Sequence, residues 1–157
     1  IKKMKILFVC LGNICRSPIA EGVFKHLCDQ EKIECLVESA GTQSYHIGES
    51  PHRYSTLVCN EKGIDIGQQR ARKFVVEDIE HFDKIYALAN DVYDELKKIS
   101  GNKFNENKIE LFLHQAYPNE NRSVKDPWYG NLDGYYEVFD EIKFGCEAIL
   151  QYHKKFV

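Results

Sequence analysis

The sequence predicts an α/β fold in three layers: a twisted parallel sheet of four strands with helices packed on both faces. Three observations lead there. Four short apolar runs carry β-branched and aromatic residues, stretches of helical periodicity follow them, and glycine, proline or asparagine marks the junctions. Strands that alternate with helices build parallel sheets, because each crossover returns the chain to the same end of the sheet.

The first strand is read over Lys5 to Val9, where Ile6-Leu7-Phe8-Val9 is uninterrupted, as in a strand buried on both faces. It ends at Cys10. After the loop Leu11 to Arg16, Ser17-Pro18 supplies an N-cap and a proline at the first helical position, with Glu21 in the first turn. A helix is predicted from about Pro18 to Gln30, with Ile19, Val23, Phe24 and Leu27 on its buried face. Cys35 to Ala40 is the second strand, ended by Gly41, and Ser55 to Lys62 is a helix closed by Gly63. Asp83 to Leu88 is the third strand, followed by a helix through Leu96 to Ile99, and Lys108 to Leu113 is the fourth strand. Asp133 to Tyr152 forms a long terminal helix whose inner face carries Tyr136, Phe139, Ile142, Cys146, Ile149 and Leu150. Ala116 to Asn131 is the one long loop, and loops of that length in compact domains are usually functional.

A chain of 157 residues predicts a single domain over 1–157, and 43% hydrophobic with 29% charged residues excludes disorder and collagen-like repeats. Ile1, Lys2 and Lys3 precede the only methionine, Met4, and are given no role. With 21 basic and 24 acidic side chains the net charge is -3, without the basic excess that nucleic acid requires. The longest apolar runs, such as Ile6 to Leu11, cover about a third of the ~20 residues that span a bilayer, and no signal peptide opens the chain. No nucleic acid and no membrane partner is expected, and a cytoplasmic location is. The six cysteines are irregularly spaced and read as reduced thiols without zinc-binding pairs. The six histidines offer no ligand spacing and read as surface or packing residues. No metal or cofactor is expected.

Chemistry concentrates in Cys10-Leu11-Gly12-Asn13-Ile14-Cys15-Arg16-Ser17, because it lies between a buried strand and a helix start. There the backbone N–H groups from Leu11 to Arg16 can surround one tetrahedral anion, and the helix adds its positive end. Arg16 can hold two of the anion's oxygens with its planar fork. Cys10 would sit at the bottom, where all these groups favour the thiolate, a nucleophile facing a bound phosphate. Gly12 gives the bend, Asn13 tolerates a left-handed backbone while its side chain holds the loop shut, and Ser17 can donate to the thiolate. A departing aryl oxide, whose parent phenol has a pKa of about 10, needs a proton. Asp126, restrained by Pro127 and followed by Trp128 and Tyr129 in the long loop, can supply it.

Taken together, Val9 to Pro18, Ser39-Ala40-Gly41-Thr42 after the second strand and Asp126-Pro127-Trp128-Tyr129 resemble the low-molecular-weight protein tyrosine phosphatases, in order and over nearly the whole chain. The resemblance implies a phosphate-binding loop after the first strand and metal-free hydrolysis of phosphotyrosine-containing proteins through a phosphocysteine. It implies Cys10 as nucleophile, Arg16 as phosphate clamp, and Asp126 as the acid that later activates water. Asn13, Ser17 and Ser39 match positions whose hydrogen bonds keep the cradle rigid, and Cys15 matches a second cysteine able to trap the nucleophile as a reversible disulfide. A monomer or weak dimer is expected.

Leu11, Ile14, Tyr45, Trp128 and Tyr129 would line an apolar slot for a phenyl ring, deep enough to exclude short phosphoserine. Phosphoarginine phosphatases of the family carry a threonine where Ile14 stands. Arsenate reductases of the same fold relay oxidation through cysteines near the loop after the third strand, whereas this chain has none between Cys59 and Cys146. A non-catalytic phosphate-binding module would lack a proton donor such as Asp126. Two departures stand out: Gln68 where many relatives carry a histidine of the network behind the cradle, and Ala89 where an aspartate commonly follows the third strand, with Asn90 or Asp91 as substitutes. Trp128 fills the first of two places where relatives often carry adjacent tyrosines, so regulation by phosphorylation there is not expected.

Overall fold

In the computed structural model, which describes residues 3–156, the most buried strand is the one with the longest apolar run. β1 (Met4–Cys10) lies between β2 (Cys35–Gly41) and β3 (Lys84–Ala87), and β4 (Ile109–Leu111) completes the order β2-β1-β3-β4, every pair parallel. Alternate β1 residues serve opposite faces. Ile6, Phe8 and Cys10 pack with α1 (Arg16–Gln30), α2 (Arg53–Glu61) and α5 (Leu132–Phe156). Leu7 and Val9 pack with α3 (Asp78–His81) and α4 (Asn90–Ser100). This is the three-layer parallel arrangement expected. Register pairs Cys10 with Gly41 and Val9 with Ala87, so the carboxyl ends of three strands meet at one edge. In sheets of this kind that edge is where ligands bind.

Several boundaries differ from expectation, each for a physical reason. α1 starts at Arg16, so Ser17 lies inside its first turn and does not cap it; the cap position is Cys15, with no side-chain cap bond. Glu21, expected in the first turn, lies one turn further on and is buried. β4 is shorter than Lys108 to Leu113, because a 3₁₀ turn over Phe112–His114 swings Phe112 and Leu113 into the core. On α5 the residue facing fully inward is Tyr135, 1% exposed, while Tyr136 is half-buried at the margin. Tyr135, Phe139, Ile142, Cys146 and Ile149 follow helical spacing, which Tyr136 does not share. The short α3 carried no readable periodicity; Asp78 holds it by accepting from Val75 N and from both Arg72 guanidinium nitrogens.

The loop between β4 and α5 is docked at the sheet edge. Val124 N donates to Leu88 O at 2.8 Å, Asn90 N to Ser123 Oγ at 2.8 Å, and Asn90 Nδ2 to Asn121 O at 2.7 Å. Asn90 is thus a loop anchor, Ala89 is buried beneath it, and Asp91 Oδ1 accepts from Val92 N in the first turn of α4.

At the opposite end of the sheet His153 is 4% exposed, with Nε2 3.1 Å from the Tyr86 hydroxyl and Nδ1 without a hydrogen-bond partner among the described residues. Burial holds its pKa below the ordinary 6.5, Lys84 adds to the effect, and Glu110 and Asp83 oppose it. The unfolded chain therefore takes up a proton below pH 6.5 that the native state resists. This contribution to stability is complete above that pH and is lost as the pH falls below it. Denaturant unfolding at pH 7.5 and 5.5 should show a smaller pH-dependent loss in His153→Phe than in the wild type; equal losses would remove His153 as a cause.

Candidate active site

Cys10 ends β1 at 2% exposure, and the loop after it wraps around its sulfur. The bend is made at Asn13, a non-glycine residue with φ 59°. Gly12 was expected to give the bend; its φ is ordinary, and its missing Cβ instead leaves room for the His46 ring, whose Cδ2 would lie 3.0 Å from such an atom.

Donors outside the loop take its carbonyls. Thr42 N donates to Cys10 O at 3.0 Å, Gln43 N to Leu11 O at 2.9 Å, His52 N to Ile14 O at 2.7 Å, and Ser55 Oγ to Cys15 O at 3.2 Å. Because each peptide is planar with N–H and C=O opposed, carbonyls drawn outward turn N–H groups inward. Asn13 N reaches Cys10 Sγ at 3.3 Å, and Ser17 Oγ lies 3.0 Å from the same sulfur. The amino end of α1 points at this hollow and adds positive potential.

Arg16 is 4% exposed, and two acceptors hold it. Nη1 donates to Val124 O at 3.0 Å, and Nη2 lies 3.7 Å from Asp126 Oδ2. Asp126 Oδ1 accepts from Trp128 N at 3.0 Å, a local turn that fixes the carboxyl above the hollow. The cleft so formed has a volume of about 260 Å³. It is lined by Cys10, Leu11, Gly12, Ile14, Cys15 and Arg16 from the first loop, Tyr45 and His46 from the segment after β2, and Asp126, Trp128 and Tyr129 from the loop before α5. Trp128 is 42% exposed and Tyr129 93%, so the former is a wall and the latter a rim.

The three residues expected to carry chemistry therefore meet in one cleft. Asn13, Ser17 and Ser39 lie behind it, with Asn13 Nδ2 donating to Ser17 Oγ at 2.8 Å and to Ser39 Oγ at 2.9 Å. Ser39 to Gly41 belong to β2 itself. Gln68 takes no part in this network: it is exposed, while Gln69 Nε2 donates to Pro18 O at 3.0 Å, and Glu21 ends the chain by accepting from Ser39 Oγ at 2.7 Å.

Two histidines read as surface or packing residues belong to the site's frame. His46 lines the cleft, its Nδ1 3.0 Å from Glu49 Oε2. His52 caps α2 by accepting from Tyr54 N, stacks on Tyr135 at 5.0 Å, and meets the Trp128 ring edge-on at 5.6 Å. Burial, and secondarily Arg53, holds the His52 pKa below its ordinary value, which keeps the ring neutral and able to accept that bond.

Cys15 Sγ is 3.5 Å from the Tyr135 hydroxyl; burial pushes its thiol up to about 12 against the lowering effect of that hydrogen bond, so it stays protonated near neutrality. All six cysteines are unbridged. Among the described residues no group of three or more His, Cys, Asp or Glu could hold a metal ion.

The family model for low molecular weight phosphotyrosine protein phosphatases matches residues 5–156. The chain belongs to this family. Among its phosphatase relatives, YfkJ of Bacillus subtilis is 36% identical over 150 residues, covering 94% of each chain. The low molecular weight phosphotyrosine protein phosphatase of Gallus gallus is 36% identical over 149 residues, covering 93% of each. The YfkJ crystal structure superposes with a TM-score of 0.89 over 99% of this chain and 97% of that one, at 34% identity. A Drosophila arginine phosphatase superposes with a TM-score of 0.87 over 96% and 98%, at 29% identity.

Gly41 is the site residue whose role in this phosphatase was not legible. A Cβ there would lie 2.8 Å from Leu11 O and 3.1 Å from Asn13 N, both main-chain atoms of the loop. Gly41→Ala should push the loop away from β2, weaken competitive inhibition by inorganic phosphate about tenfold or more and leave a folded protein. Unchanged phosphate affinity would show that the loop does not depend on this contact.

Proposed function

We propose that this protein hydrolyses phosphotyrosine in proteins through a phosphocysteine on Cys10, with Arg16 and Asp126 as its partners in one active unit spanning 1–157. The observation that carries the reading is the convergence of a sulfur that accepts hydrogen bonds, a buried guanidinium and a carboxyl group in a single cleft. Leu11, Gly12, Asn13, Ile14, Cys15 and Ser17 form or brace the phosphate cradle.

In the first step Cys10 Sγ attacks phosphorus, the bond from phosphorus to the tyrosyl oxygen breaks, and Asp126 gives that oxygen its proton. In the second, Asp126, now a carboxylate, takes a proton from water as the water oxygen attacks phosphorus and the P–S bond breaks. Inorganic phosphate leaves, and the thiolate is restored. Arg16 and the inward N–H groups hold the charge that spreads over the equatorial oxygens in both steps. Arg16 is prepared for this, because its Nη1 is fixed by Val124 O before any substrate arrives.

The walls favour an aromatic ester. Ile14, Tyr45 and Trp128 line the same cleft as Cys10 and Arg16 and offer apolar surface to a phenyl ring, whereas a phosphoserine would leave them wet. Arsenate reduction would need thiols beside the loop after β3, and the chain holds no cysteine between Cys59 and Cys146. Every group of the cleft comes from one chain, so a monomer suffices for catalysis. Six unbridged thiols support a cytoplasmic site of action, and among the described residues no helix is long and apolar enough to cross a membrane.

Turnover of phosphotyrosine, phosphoarginine and phosphoserine peptides should favour phosphotyrosine, and Cys10→Ser should still bind phosphate while turning over none of them. Preference for phosphoarginine would reassign the substrate, and activity in Cys10→Ser would remove the nucleophile. Asp126→Asn should slow phenyl phosphate by about 10²-fold or more while sparing esters of acidic phenols, because only the poor leaving group needs the proton; equal losses on both would take the acid role away from Asp126.

A further inference from the structure

Glu21 lies on the buried face of α1, 7% exposed, and the chemistry above gives it no task. Two donors converge on its carboxylate: the Ser39 hydroxyl at 2.7 Å from Oε1 and the Lys25 ammonium at 2.7 Å from Oε2. From Ser39 a chain of hydrogen bonds leads to the sulfur. Asn13 Nδ2 is 2.9 Å from Ser39 Oγ and 2.8 Å from Ser17 Oγ, and Ser17 Oγ is 3.0 Å from Cys10 Sγ.

The directions of these bonds are fixed from both ends. Asn13 Oδ1 accepts the Arg72 main-chain N–H at 3.0 Å, and an N–H can only donate, so the amide must turn its NH₂ to the two serines. At the other end an ionised carboxylate can only accept, so Ser39 commits its proton to Glu21 and keeps its lone pairs for Asn13. Asn13 spends both amide protons, and Ser17, already accepting one, has two acceptors for its own proton, the Cys10 sulfur at 3.0 Å and Ala40 O at 3.5 Å, of which the sulfur is the nearer. The same bonds hold Asn13 in its left-handed backbone, which places its N–H 3.3 Å from Cys10 Sγ.

We propose that Glu21 is a positioning residue for Cys10: acting through Ser39 and Asn13, it holds the Ser17 O–H and the Asn13 N–H on the sulfur and so favours the thiolate. The proposal rests on the reading of Cys10 as the nucleophile. A direct effect of Glu21's charge would have the opposite sign, since a nearby anion disfavours a thiolate. Glu21→Gln separates the two. It keeps the size, removes the charge, and offers one amide oxygen where Ser39 and Lys25 both need an acceptor.

The test measures alkylation of Cys10 by a neutral haloacetamide at pH 6, followed by mass spectrometry of the Cys10 peptide, in the wild type, Glu21→Gln, Ser39→Ala and the double variant. Turnover of an aryl phosphate and the thermal midpoint are read in parallel. Each single variant should slow alkylation about fivefold to tenfold and lower kcat to a similar extent with little change in KM. The double variant should be no slower than the worse single one, because both changes cut the same chain. Unchanged or faster alkylation in Glu21→Gln, or additive losses in the double variant, would overturn the proposal. If Glu21→Gln fails to fold, Ser39→Ala decides alone, and unchanged alkylation there overturns it. Alkylation reads the sulfur without turnover, so a wild type inactive on aryl phosphates would refute the phosphatase reading and leave this result to stand or fall separately.

Discussion

The site depends on one constraint: a short loop must turn its main-chain donors inward around a sulfur, and it can do so only if its carbonyls are satisfied elsewhere. An unpaired buried carbonyl costs about 1–3 kcal/mol, so each outward donor is a condition of the cradle. Those donors come from three places: the end of β2 through Thr42 and Gln43, the residue that caps α2 through His52 N, and α2 itself through Ser55. The parallel pairing of β1 with β2 brings the first set within reach, and packing of α1 against α2 brings the others. The fold is therefore the scaffold that frees the loop's N–H groups for an anion.

This division explains what the sequence could disclose. The strand order of events, Ile6 to Val9, then the loop, then a helix, is local, and local patterns of apolar period and turn residues are readable. So were Cys10, Arg16 and Asn13, whose chemistry is tied to their residue types. Gly41 read as a strand terminator and as part of the Ser39–Thr42 motif, but its contact with Leu11 and Asn13 was not legible, because it is made across the sheet by residues far apart in the chain. Glu21 read as an ordinary helix-start feature for the same reason: its partner Ser39 becomes a neighbour only after β2 pairs with β1, whereas Ser17 was legible as a donor to the Cys10 sulfur because one loop joins them. His46, His52 and Tyr135 were missed because histidines without ligand spacing and one tyrosine of a Tyr-Tyr pair carry no periodic signal strong enough to single them out.

The acid loop shows how order is imposed on a stretch without secondary structure of its own. Leu88, Asn90 and the Asn121–Ser123 segment fix its first half to the end of β3, and the His52 and His46 rings fix its second half through Trp128. His52 serves both sides of the cleft at once, since its main-chain N–H takes Ile14 O while its ring rests between Tyr135 and Trp128. A shift of α2 would therefore move the cradle and the acid together.

Arg16 is a buried charge with few partners to balance it. Burying a guanidinium is costly unless anions surround it, and here it has one carbonyl and one carboxyl oxygen at 3.7 Å. On the proposed reading, a phosphate dianion entering the hollow supplies negative charge beside Arg16, so the burial that makes the guanidinium costly also makes the cleft selective for an anion.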